Sequence, residues 1–134
     1  MTKKIMTKYK FVTEYELRAS PKMLFPYVST ASGLQQWFAS KVNVGSNQSM
    51  IFEWDGENHP AKIASLRQNK SIKYDFLPEE GETEHNYMEF RLEQSDLTNS
   101  TFLKITDYSD NDDEEDLKAL WDGLMDSLRE VVGG

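Results

Sequence analysis

Acid–base and metal chemistry would have to come from two histidines and 23 acidic side chains, because the chain has no cysteine. Thiol nucleophiles, thiolate metal sites and disulfide scaffolds are thereby excluded. His59 and His85 fall in polar stretches that read as surface loops. A zinc site needs three or four ligands, and the spacing supplies no such set. The acidic run from Asp107 to Asp116 invites a calcium reading. It lacks the central glycine of a calcium loop. Lys118 stands where a loop starting at Asp107 would place its bidentate Glu. Helix capping and a solvated loop are the preferred reading of that run. No metal or other cofactor is expected.

Strand alternation places Glu14, Glu16, Glu53, Asp75, Glu89 and Glu93 on outward faces. No Ser–His–acid arrangement and no pair of facing carboxylates emerges, so the chain is not expected to be an enzyme.

The elements that would carry these residues are well marked. Phe11, Thr13, Tyr15 and Leu17 alternate with Glu14, Glu16 and Arg18, as in a half-buried strand. Ser20-Pro21 is a helix-start signal for a segment holding Met23, Leu24, Tyr27 and Val28. Pro26 predicts that this helix is short or kinked. Ser32-Gly33 reads as a break before a second short helix over about residues 34–39. Strands follow at Val42–Val44, Met50–Trp54, Ala61–Leu66, Ile72–Phe76, Met88–Glu93 and Thr101–Tyr108, separated by turn signals such as Asp55-Gly56. Residues 78–84 read as an acidic loop.

The last element has the clearest period. Leu117, Leu120, Trp121, Leu124, Met125, Leu128, Val131 and Val132 fall within an arc of about 140° at helical spacing. The acids Asp112 to Asp116 suit its start, where the backbone N–H groups and the helix dipole favour negative charge. Mid-helix Gly123 leaves two readings, a close approach by a neighbour or a tolerated position.

The 134 residues suit one domain, 1–134, with disorder expected, if anywhere, at residues 1–8. Met-Thr-Lys at both Met1 and Met6 leaves either as the start. Net charge is −8. Residues 1–106 carry 13 acids and 13 bases, and residues 107–134 carry 10 acids and 2 bases. This acidic field repels nucleic acid and anionic membrane surfaces. No apolar run reaches the roughly 20 residues of a membrane span, and no leader pattern is visible. A cytoplasmic location is the expectation.

The order of strand, two short helices, antiparallel strands and long C-terminal helix carries a resemblance. It rests on Ser20-Pro21-x-x-Leu24-Phe25, Ser29-Thr30-x-x-Gly33-Leu34-x-x-Trp37-Phe38, Phe52-x-Trp54-Asp55-Gly56 and Leu120-Trp121. On these the chain resembles the START-like superfamily, also called SRPBCC or the birch-pollen-allergen fold. It is similar in particular to small bacterial members related to the activator of heat-shock-protein ATPase. The resemblance implies an α+β helix-grip fold. In that fold a curved antiparallel sheet, here of about six or seven strands, surrounds the C-terminal helix and can leave an apolar cavity. Members bind lipids, sterols or other hydrophobic ligands; some are enzymes and some bind partner proteins. No catalytic motif carries over.

With a sheet curled around the helix, Phe52, Trp54, Tyr74, Phe76, Met88, Phe90, Leu103, Trp121, Leu124 and Met125 point inward. They would line a ligand cavity, with Thr13, Tyr15, Tyr74 and the Trp54 indole as polar anchors. The alternative is a closed core that the same aromatics fill. The resemblance puts Trp37 and Phe38 at the cavity mouth; packing of a short helix on the sheet edge is the other reading. Two functions follow. One is non-enzymatic binding of a small hydrophobic, lipid-like ligand. The other is a protein-interaction module or chaperone accessory factor with no such ligand.

Overall fold

The computed structural model describes residues 8–77 and 85–133. The acidic stretch 78–84 and the first seven residues lie outside them. Among the described residues there are seven strands: β1 (Tyr9–Leu17), β2 (Lys41–Val44), β3 (Ser49–Trp54), β4 (Glu57–Arg67), β5 (Ser71–Phe76), β6 (Tyr87–Gln94) and β7 (Thr101–Ser109). Three helices complete the fold: α1 (Pro21–Ser29), α2 (Ala31–Gln35) and α3 (Glu114–Val132).

The strands form one curved antiparallel sheet in the order β1-β7-β6-β5-β4-β3-β2. The first and last strands pair over nine positions, from Tyr9–Ser109 to Leu17–Thr101. The inner face carries Phe11, Leu17, Phe52, Ile72, Tyr74, Phe90, Leu103 and Ile105, each at most 3% exposed. Leu117, Trp121, Met125 and Leu128 recur at intervals of four, four and three, which makes one buried ridge along α3. This is the helix-grip architecture.

The tandem helices differ in detail from the expectation. Ser20 caps α1 by accepting the Met23 N–H at 3.2 Å, and Pro21 occupies the first turn. Pro26 is accommodated in a helix of only nine residues. The break falls at Thr30, not at Ser32-Gly33. Thr30 is extended and ends α1, and its hydroxyl accepts the Gly33 N–H at 3.0 Å to start α2. A threonine N-cap thus overrides the expected glycine break. Gly33 lies inside α2, at a position where a Cβ would overlap the Pro26 carbonyl. Trp37 and Phe38 consequently sit in the turn after α2, and Met23 is exposed.

One strand, β4, starts four residues before its pattern predicted. β4 starts at Glu57, so His59 is a strand residue rather than a loop residue. Its register shifts between Ile63 and Ser65, a bulge that blurs the alternation. Turns use Asp55 and Gly56, both at positive φ, as the Asp-Gly pair predicts.

Asp113 caps α3, its carboxylate accepting the Asp116 N–H at 3.1 Å, and Glu114, Glu115 and Asp116 form the first turn. Its end is Gly133 in the left-handed conformation, with its N–H donating to the Arg129 carbonyl at 2.8 Å. Gly123 approaches nothing: a Cβ there would meet no atom within 4 Å. Leu120, placed in the apolar stripe by its spacing, is 51% exposed.

Candidate functional site

Phe38 is the hub around which the site is built. It stacks on Trp121 of α3, with ring centroids 5.7 Å apart and planes at 22°. Its edges meet Phe52, Trp54 and Phe90 at 5.6, 5.2 and 5.9 Å. Trp54 stacks on Phe52 at 5.3 Å, and its indole N–H donates to the Phe38 carbonyl at 3.0 Å. Trp37 donates its indole N–H to the Tyr27 carbonyl at 2.8 Å, which fixes the turn that delivers Phe38.

Beside this cluster, residues of the sheet and of α3 line a cavity of about 940 Å³. Phe38, Trp54, Phe76, Met88, Trp121 and Leu124 form its apolar wall, and half-exposed Leu120 stands at its border. A smaller depression of about 350 Å³ lies on the other side of Phe38 and Trp54, beside Trp37.

The cavity's polar groups are not the expected anchors. Tyr74 donates its hydroxyl to the Val28 carbonyl at 2.6 Å inside the closed core, where burial raises its pKa. Tyr15 lies under the far flank of α3 and donates to Asp122 Oδ1 at 2.8 Å; burial and that bond raise its pKa. Lys118 covers its ring at 4.9 Å. Phe52, Phe90, Leu103 and Met125 are core residues behind the cavity wall. The predicted lining set therefore divides: six residues reach the cavity wall, Trp37 reaches the smaller depression, and the rest are packed away from both.

Two residues at the cavity were assigned elsewhere by the sequence reading. His59 pairs with Phe52 across the β3–β4 ladder and packs on Trp54 at 5.1 Å, facing the cavity. The polar residues before Ala61 carry no strand alternation, which is why the sequence places His59 in a loop. Asp107, first residue of the acidic run, belongs to β7 rather than to a solvated loop. It continues the inner face of β7 after Leu103 and Ile105, and two-residue parity extended by one step locates it. Its Oδ2 accepts the Trp121 indole N–H at 2.9 Å. Burial raises its pKa, and the indole bond works against that rise. An acid therefore does face the interior, in addition to the six that alternation places on outward faces.

Further polar contacts close the cavity's rim. Lys8 pairs with Asp110 at 2.8 Å and donates to Asn86 Oδ1 at 2.9 Å, so β1, β6 and β7 are tied at one end. Lys8 is itself buried, and the rest of the stretch 1–8 lies outside the described residues. His85 faces Asp75 at 3.4 Å on the outer side. Among the described residues no group of three or more His, Asp or Glu side chains is placed to hold a metal ion. None of their helices is long and apolar enough to cross a membrane.

A family model described as a START-like superfamily domain matches residues 5–134. No curated protein matches the chain. A protein of Bacteroides fragilis, solved in solution, is 36% identical with a TM-score of 0.62, covering 95% of this chain and 93% of that one. The Aha1 dimer of Colwellia psychrerythraea is 22% identical with a TM-score of 0.73, covering 91% and 94%. A protein of Mesorhizobium loti is 14% identical with a TM-score of 0.75, covering 93% and 97%. The last two show likeness of fold alone.

Proposed function

We propose a function from one premise: the chain belongs to the START-like superfamily. It binds a small hydrophobic ligand between the sheet and α3, without turning it over, in the cytoplasm. The observation that carries this reading is the cavity of about 940 Å³, whose wall joins aromatic and aliphatic side chains to a polar set that includes His59 and Asp107. Pockets for small molecules are of this size and composition. A closed core would have packed Trp54, Phe76 and Leu124 as fully as Phe52, yet these three remain partly exposed at the cavity. Binding rather than catalysis is favoured because among the described residues no hydroxyl is hydrogen-bonded to His59, whose ring is engaged by Trp54. An interaction module with a filled interior would have no use for this space.

Native mass spectrometry of the protein purified from its own host tests the reading. One retained small molecule per chain is expected, released by organic extraction and replaced on adding a lipid mixture. Absence of any adduct, together with no saturable binding across a lipid panel, refutes it.

A further inference from the structure

Asp107 gives the cavity a chemical preference. Its Oδ2 is occupied by the Trp121 indole N–H at 2.9 Å, while no hydrogen bond to its Oδ1 is made by the described residues. The carboxylate lies on the cavity wall beside Met88 and Leu124. Three carboxylates line the space, those of Asp55, Asp107 and Asp110, and none of the described lining residues is lysine or arginine. The neighbouring cation Lys8 is committed to Asp110 and Asn86. Asp107 therefore meets the cavity without a cationic partner from the described residues. Its raised pKa, caused first by burial, fits a carboxylate lacking such a partner.

We infer that the cavity selects an apolar ligand bearing a cationic, hydrogen-bond-donating head, an ammonium group, which pairs with Asp107. The inference rests on the ligand-binding reading above and specifies its ligand class. A neutral hydroxyl would satisfy one lone pair of Oδ1. An ammonium satisfies it and also compensates a charge held out of water, which makes the bond stronger. A carboxylate head would face like charge in a space of low dielectric. The apolar wall then takes the body of the ligand, and Asp107 orients it.

Three probes with the same dodecyl chain separate these possibilities: dodecylammonium, dodecanol and dodecanoate. Trp54 and Trp121 form part of the wall, so their fluorescence reads occupancy directly. Saturable binding of one dodecylammonium per chain is expected. It should be tighter than dodecanol by a factor on the order of ten to a hundred, with dodecanoate weakest. Asp107→Asn should bring dodecylammonium down to the affinity of dodecanol and leave dodecanol unchanged. Asp112→Asn removes one exposed charge from the same end of the chain and should leave the ranking intact. That control separates a specific pair from general attraction to an acidic protein. Should circular dichroism show that Asp107→Asn does not fold, the ranking of the three heads on the unaltered protein decides. If dodecanol or dodecanoate binds as tightly as dodecylammonium, or folded Asp107→Asn keeps full affinity for it, the head-group assignment falls and the apolar cavity stands. If none of the three binds, both readings fall.

Discussion

Replacing Trp121 with phenylalanine separates packing from hydrogen bonding at the centre of the site. Trp121 is 2% exposed, stacks on Phe38, and donates its indole N–H to Asp107 at 2.9 Å. Phenylalanine keeps a ring over Phe38 but removes the donor and part of the volume. The lost packing should cost about 1 kcal/mol. The lost bond to a charged acceptor should cost about 1.5–3 kcal/mol while Asp107 is ionised. The expected destabilisation near neutral pH is therefore about 2.5–4 kcal/mol.

Its pH dependence follows from the sign of the Asp107 shift. A carboxyl whose folded pKa is raised contributes stability that is present below its ordinary pKa and lost as pH rises through the raised value. Removing the indole, which lowers that pKa, moves it further up and deepens the loss at neutral pH. Urea unfolding followed by far-UV circular dichroism at about pH 7 and about pH 4 should show the cost of Trp121→Phe shrinking by about 1 kcal/mol in acid. In an Asp107→Asn background the cost at neutral pH should already be reduced, giving a coupling of similar size. An equal cost at both pH values and additivity in the double-mutant cycle would refute the assigned role of this bond.

Gly123→Ala should stabilise the protein by about 1 kcal/mol, since the residue is exposed in mid-helix and a Cβ meets nothing within 4 Å; a lower thermal midpoint would count against the open space described there. Gly33→Ala should cost about 1–3 kcal/mol, because the new Cβ overlaps the Pro26 carbonyl and must part α1 from α2. An unchanged urea midpoint would contradict that contact. Tyr15→Phe removes a donor from Asp122, whose pKa is held down first by Lys118 and then by Tyr15. NMR titration of the Asp122 carboxyl should show its pKa rise toward the ordinary value. A lowered pKa contributes stability above the ordinary value and loses it as pH falls, so the variant should be weaker at neutral pH and match the parent in acid.

Local patterns made most of the architecture legible. The C-terminal helix was readable because a single face repeats Leu117, Trp121, Met125 and Leu128, and the cap and dipole preferences of Asp113 to Asp116 fix its start. The strands were readable wherever one face is wet. They were misjudged where the other face is not a clean apolar row, as in β4, whose only buried residue is Ala61. β4 is central, carries Pro60 and contains a bulge, so its polar first half did not read as strand and His59 was assigned to a loop. The break between the short helices was misplaced because Gly33 was read as a helix breaker, whereas its smallness serves the close approach of α1.

The sequence alone determined the order of elements, the inner and outer faces of most strands, and the charge gathered at the C-terminal end. Each depends on neighbours a few residues away. Tertiary structure decided which inward aromatics bound a space and which fill the core. It consigned Tyr15 and Tyr74 to internal hydrogen bonds, and it set Asp107 against Trp121 at the cavity. Whether a buried polar group is free to meet a ligand depends on which donor or acceptor arrives from another element. That is fixed only when the sheet curves around the helix.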